Sequence, residues 1–114
     1  MDYSLTARRV DEHGSLAVAR GAKVVLGTDL AGRPDAMNPV ELLLAALAAC
    51  MIKGVERVTP MLQFDLRGVT VHLQAIRQDA PPKLVLIRYE IIVDSDETDA
   101  RLDLLLRNIL KYST

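Results

Sequence analysis

The sequence has one cysteine, Cys50, no tryptophan, and only four aromatic side chains, three tyrosines and one phenylalanine. A lone cysteine cannot close an internal disulfide, so the chain fits a reducing compartment, and a cytoplasmic location is the expectation. Tyr3, Phe64, Tyr89 and Tyr112 are too scattered to form a stacking platform for single-stranded nucleic acid. Neither sign of charge dominates. Fourteen Lys and Arg stand against 15 Asp and Glu, a formal net charge of −1. Bulk electrostatics therefore give no footprint for nucleic acid or an anionic membrane, and neither is expected as a partner. The 2 histidines, His13 in a turn and His72 in a strand, have no second ligand at useful spacing. A zinc site needs three or four ligands, so no metal is expected and both rings are expected to be solvated. No phosphate loop, dinucleotide fingerprint or Ser-His-Asp pattern is present, so no cofactor is expected. The N-terminal MDYSLTARRV lacks a signal peptide's apolar centre. The apolar run Leu42 to Ile52 is too short to span a bilayer. There is no internal repeat and no low-complexity tract.

What remains is an ordinary globular composition, 50% hydrophobic and 25% charged, over 114 residues. One domain, residues 1–114, is expected. A chain of this size buries roughly 60 to 70% of its unfolded surface, so its core is thin. Ser4 to Val10 is weakly alternating and reads as a strand; Glu12 to Ser15 is a turn signal. Leu16 to Ala19 and Lys23 to Thr28 read as one strand broken at Arg20-Gly21 or as two short ones. Asp29 to Met37 is a loop rich in turn formers. Then comes a strong helix start, with Asn38 as N-cap, Pro39 at the first helical position and Glu41 at capping-box spacing. That helix is predicted to run to about Val58, with Thr59-Pro60 as its stop.

Leu66 to Ile76 alternates, with Val69, Val71, Leu73 and Ala75 on one face. After a Gln78 to Pro82 loop, Lys83 to Val93 places Val85, Ile87, Tyr89, Ile91 and Val93 together, and the two runs predict a hairpin. Ser95 or Asp96 is expected to cap a second helix with an apolar stripe of Leu102, Leu105, Leu106, Ile109 and Leu110. The fold class is α+β with a largely antiparallel sheet. The first helix is apolar on all sides for three turns and needs cover on every side. A second copy in a two-fold homodimer is the simplest cover.

The segment Asn38-Pro39-Val40-Glu41-Leu42-Leu43-Leu44-Ala45-Ala46-Leu47-Ala48-Ala49-Cys50 resembles the signature of the OsmC/Ohr family, and in its Pro-x-Glu-Leu-Leu-Leu-Ala-Ala-Leu form it is most similar to that family's less characterised members. The resemblance covers nearly the whole chain. It implies an OsmC-like fold in an intertwined homodimer with a long central helix. It also implies a cysteine peroxidase that reduces organic hydroperoxides with two cysteines, an arginine and a glutamate, the peroxidatic cysteine being Cys50. The sequence departs from that pattern. No second, resolving cysteine exists, and Ser113 stands near the place expected for it. Val40 occupies the position directly after the proline, with the carboxylate one residue later at Glu41. The chain also stops where the family usually continues into a further strand.

Each candidate has two readings. Free cysteines are commonly inert packing, yet a thiol in a dry pocket can be a nucleophile if a cation lowers its pKa from about 8.5. The helix dipole fades within a turn and Cys50 lies further in, so the cation must come from elsewhere. Arg33, in the loop before the helix, is the first candidate and Arg20, at the strand break, the second. Glu41 has a sufficient role in the cap. At about 100° per residue it also faces away from Cys50, roughly 13 Å along the same helix. It would act only by holding an arginine or across a dimer seam. Two functions follow. Cys50, Arg33 and Glu41 form the site of a thiol peroxidase for apolar hydroperoxides, reduced by an external thiol. Alternatively, the chain is a non-catalytic dimeric domain that binds a small apolar ligand.

Overall fold

Alternating hydrophobicity and turn chemistry yield five strands and two helices among residues 1–112, the part of the chain that the computed structural model describes. Ser113 lies outside the described residues. The architecture is α+β, as expected, with every strand pairing antiparallel. The chain divides into two compact units, residues 1–43 and 44–114.

In the first unit, β1 (Thr6–Asp11), β2 (Gly14–Ala19) and β3 (Ala22–Leu26) form a meander in that order. The Arg20-Gly21 break is a tight turn between two strands, with Arg20 in the left-handed region at φ 58°. After β3 the chain closes a loop on itself. Gly27 N donates to Met37 O at 2.8 Å, and Leu26 bridges Met37. A Cβ on Gly27 would stand 2.9 Å from Met37 O and 3.1 Å from Ala36 O, so the closure requires glycine.

Helix α1 (Pro39–Met61) begins with the expected box. Glu41 N donates to Asn38 Oδ1 at 2.8 Å, and Asn38 N donates to Glu41 Oε1 at 3.0 Å. Its end differs from expectation. The helix passes through Thr59-Pro60 and stops in a Schellman motif, with Gln63 at φ 49°. Phe64 N donates to Thr59 O at 2.9 Å and Gln63 N to Pro60 O at 3.2 Å. Phe64 also packs with Val58, the apolar contact such a stop favours. These bonds satisfy the last carbonyls, and a proline so near the end removes only one helical donor.

In the second unit, β4 (Gly68–Asp79) and β5 (Pro82–Asp94) form a long hairpin. The expected Gln78 to Pro82 loop shrinks to Ala80-Pro81, because Asp79 pairs with Pro82. Val69, Val71, Leu73 and Ala75 share the inner face, as predicted, opposite Val93, Ile91, Tyr89 and Ile87. Val85 does not join them. Ile76 pairs with Leu86 and Arg77 with Leu84, so Val85 is an extra residue in a bulge that reverses the alternation and leaves it 50% exposed.

Helix α2 (Asp99–Tyr112) is capped by Thr98, not by Ser95 or Asp96. Arg101 N donates to Thr98 Oγ1 at 3.3 Å. Ser95 instead accepts from Glu97 N, and Asp96 pairs with Arg67. The main apolar cluster lies in this unit, while Ala17 is buried in the first. Val55, Val58, Phe64, Leu105 and Ile109 are buried together, with Val69 and Val93 from the hairpin packed against them. Arg101 fastens the two helices, donating through Nη2 to Leu62 O at 2.6 Å while Glu97 holds its Nε.

Candidate functional site

Cys50 stands on α1 and is exposed. The helix explains why. Its buried residues are Gly54, Val55, Val58 and Thr59, all in the C-terminal half. No residue from Pro39 to Lys53 is buried, although that stretch holds the apolar run. Leu43, Ala46, Cys50, Lys53 and Arg57 recur at alternating steps of three and four and are all exposed, a stripe in which Cys50 ends the apolar part. The thiol is therefore not inert packing within one chain.

Glu41 is occupied by the helix cap. Its carboxylate accepts from Asn38 N, and its own N–H donates back to Asn38. Both sides of the expected reciprocal pair are made.

Arg33 lies in the loop after β3, and it is more firmly held than an ordinary surface arginine. Asp35 accepts from Nε at 2.6 Å and from Nη2 at 3.1 Å, a two-pronged fork. The fork raises the guanidinium's pKa further and lowers that of Asp35 below the usual carboxylate value. The other edge of the guanidinium lies over Gly14. A Cβ there would stand 2.5 Å from Arg33 Nη1. Val10, Asp11, His13, Ser15, Leu16 and Val25 complete a cleft of about 340 Å³ around this point. Arg20, by contrast, is an exposed turn residue beside a cleft lined by Asp2, Tyr3, Ser4 and Leu5.

His13 is exposed, as expected, and the structure also gives it partners. Its Nδ1 lies 2.8 Å from Asp29 Oδ2, and its Nε2 lies 3.4 Å from Glu12 Oε1. The hydrogen bond to Asp29 is the main cause that raises the imidazole pKa above 6.5, and the same bond lowers that of Asp29. Asp29 also accepts from Ala31 N at 2.8 Å, which fixes the start of the loop that carries Arg33. Nothing local in the sequence signals this pair, because the partners are separated by two strands. Ser15 Oγ and Thr28 Oγ1, 2.8 Å apart, tie β2 to the same loop.

Arg33 and Glu41 thus belong to residues 1–43 and Cys50 to residues 44–114. Among the described residues no group of three His, Cys, Asp or Glu is placed to hold a metal ion, and no helix is long and apolar enough to cross a membrane.

A family model described as "OsmC-like protein" matches residues 32–114. Among solved structures, the chain is similar to an OsmC-like protein from Mycoplasma pneumoniae at a TM-score of 0.85 and 17% identity, covering 99% of this chain and 83% of that one. It is also similar to an organic hydroperoxide resistance protein OsmC from Legionella pneumophila, at 0.69 and 19%, covering 97% and 85%. A third is the organic hydroperoxide resistance protein OhrB of Bacillus subtilis, at 0.66 and 15%, covering 99% and 86%. At these identities the likeness is one of fold. A search of curated proteins finds no match.

Proposed function

The chain belongs to the OsmC-like family, and from that premise we propose that it is a thiol-dependent peroxidase that reduces organic hydroperoxides through Cys50. The observation that carries the reading is the exposed thiol on α1, inside the matched segment and at the end of an uncovered apolar stripe. Two of the similar structures are named organic hydroperoxide resistance proteins, which supports the same chemistry.

In this reading the Cys50 thiolate attacks the distal oxygen of the hydroperoxide. An S–O bond forms as the O–O bond breaks, the sulfur loses two electrons, and the alkoxide leaves and takes up a proton to become an alcohol. Cys50 is left as a sulfenic acid. Arg33 is the cation that favours the thiolate and the departing alkoxide. With no second cysteine in the sequence, an external thiol attacks the sulfenic sulfur and releases water. A second thiol then displaces Cys50 from the mixed disulfide. This requirement for thiols fits a reducing cytoplasm. We further propose that residues 1–114 act as one functional domain, and that a second copy covers the apolar stripe of α1, giving a homodimer whose leucine-rich seam selects apolar hydroperoxides.

The test is consumption of cumene hydroperoxide with a dithiol such as dithiothreitol or dihydrolipoamide. The wild-type chain is expected to turn over, and Cys50→Ser is expected to fall to the uncatalysed rate. Equal rates for the two reject catalysis by this thiol.

One observation favours a second reading. Glu41, the carboxylate of the matched segment, already accepts from Asn38 N in the helix cap through Oε1. In that case the chain is a non-catalytic OsmC-like dimer that binds a small apolar ligand. Wild-type protein that binds an alkyl alcohol yet leaves cumene hydroperoxide intact supports it.

A further inference from the structure

We infer that Gly14 and Asp35 are positioning residues for Arg33, which seat its guanidinium so that Nη1 is the donor left to meet the reacting oxygen or sulfur; this rests on the cation role proposed for Arg33 above.

A guanidinium has five N–H donors in a fixed plane. Asp35 takes the Nε–Nη2 edge, at 2.6 and 3.1 Å. Nη1 makes no hydrogen bond among the described residues and lies against the bare Cα of Gly14. Gly14 is buried at the start of β2 and is not in the left-handed region. Glycine is needed here for space, not for backbone conformation. Its absent side chain is what leaves room for the guanidinium in the cleft that Val10, Leu16 and Val25 help to line.

The loop that carries Arg33 is pinned at both ends. Asp29 is held by His13 and itself holds Ala31 N, Gly32 N donates to Asp29 O at 3.1 Å, and Met37 is held by Gly27. Stability does not account for the arrangement. An exposed ion pair contributes little, and a glycine inside a strand weakens it. What the arrangement does achieve is a charged donor with one edge fixed and the other free, the preorganisation that stabilises developing negative charge.

The experiment compares Gly14→Ala, Asp35→Asn and Arg33→Ala with the wild-type chain. Two quantities are read, kcat/KM for cumene hydroperoxide and the pH midpoint of Cys50 alkylation by iodoacetamide. The atom that an alanine Cβ would meet first is the far end of a flexible side chain, and the backbone Leu26 O at 3.3 Å needs to give by only a few tenths of an ångström, so Gly14→Ala is expected to fold and to displace the guanidinium. Its kcat/KM should fall at least about tenfold, the scale of one lost hydrogen bond to a charged group. Its alkylation midpoint should rise toward that of Arg33→Ala. The double variant Gly14→Ala/Arg33→Ala should be no worse than Arg33→Ala alone, because both changes remove the same contact. If Arg33→Ala itself matches the wild type in both readouts, the cation role fails. If Arg33→Ala falls while Gly14→Ala and Asp35→Asn keep the wild-type profile, the positioning role alone is overturned. Should Gly14→Ala not fold, Asp35→Asn decides by the same criterion.

Discussion

His13 Nδ1 and Asp29 Oδ2 lie 2.8 Å apart, joining the β1–β2 turn to the first residue of the loop that carries Arg33. The other charged groups near the ring are Asp11, Glu12 and Arg33. The hydrogen bond to Asp29 is the principal cause that raises the imidazole pKa, and Arg33 opposes it. The stabilisation from His13 is therefore complete below its ordinary value of 6.5 and is lost as pH rises through the raised value. Asp29 is depressed, so its contribution is present above 3.8 and is lost as pH falls through the lowered value. The pair holds best between those limits. A titration of the His13 ring by NMR should give a midpoint above 6.5, and Asp29→Asn should lower it. A midpoint unchanged by Asp29→Asn removes the pair as the cause.

Glu41 can be tested apart from Arg33 and Cys50. Asn38→Ala removes the acceptor for Glu41 N and should cost about 1 kcal/mol in thermal or urea unfolding. Glu41→Gln keeps an oxygen able to accept from Asn38 N, so stability should change by only a few tenths of a kcal/mol, from lost charge at the helix N-terminus. Peroxide turnover by Glu41→Gln should stay near the wild-type rate. A drop in turnover without a drop in stability would give Glu41 a chemical role beyond the cap.

The elements legible in the sequence were those with strong local causes. The Asn38-Pro39-x-Glu41 start, the alternation of Val69 to Ala75 and the stripe of α2 follow from spacing alone. The errors came where a local rule met a longer-range one. Pro60 reads as a stop, yet Gln63 ends the helix because its left-handed backbone turns the chain so that Phe64 can pack with Val58. Val85 reads as an inner residue until the pairing of Ile76 and Arg77 shows a bulge. Five consecutive cap-forming or acidic residues, Asp94 to Thr98, precede α2, and only the hydrogen bonds distinguish Thr98 from Ser95 and Asp96. Of the proposed site, the sequence suggests Cys50 with Arg33 or Arg20 as its cation, but the seat on Gly14 and the His13–Asp29 pair could not be read from it. Both join residues more than a strand apart.

The small core makes its central leucine decisive. Leu105 is 1% exposed and belongs to the cluster with Val55, Val58, Phe64 and Ile109. Leu105→Ala should destabilise by about 2 to 5 kcal/mol through lost burial and a residual cavity. That is a large share of what a domain of this size holds, so the expected reading is a Tm lowered by many degrees. Crowding the same place should also be costly. A Cβ on Gly54 would already lie 3.4 Å from Ile109 Cγ2, and Gly54→Val should cost roughly 1 to 3 kcal/mol by overpacking.

The uncovered stripe of α1 predicts how Cys50 behaves in solution. Leu43 is 46% exposed and stands on the same stripe as Ala46 and Cys50. A helix with an apolar run this exposed gains by burying it against another copy, and the small alanines permit close approach. Sedimentation equilibrium should give a mass of about twice the chain's 12.6 kDa at micromolar concentration. Leu43→Asp places a charge in the seam that loses its water on association, so the variant should sediment as a single chain. Because Cys50 lies two turns along the same stripe, its alkylation should speed up when the partner is lost. A wild-type protein that sediments at 12.6 kDa, with an alkylation rate that Leu43→Asp leaves unchanged, would show that the apolar stripe and the thiol stand open to water without a second copy.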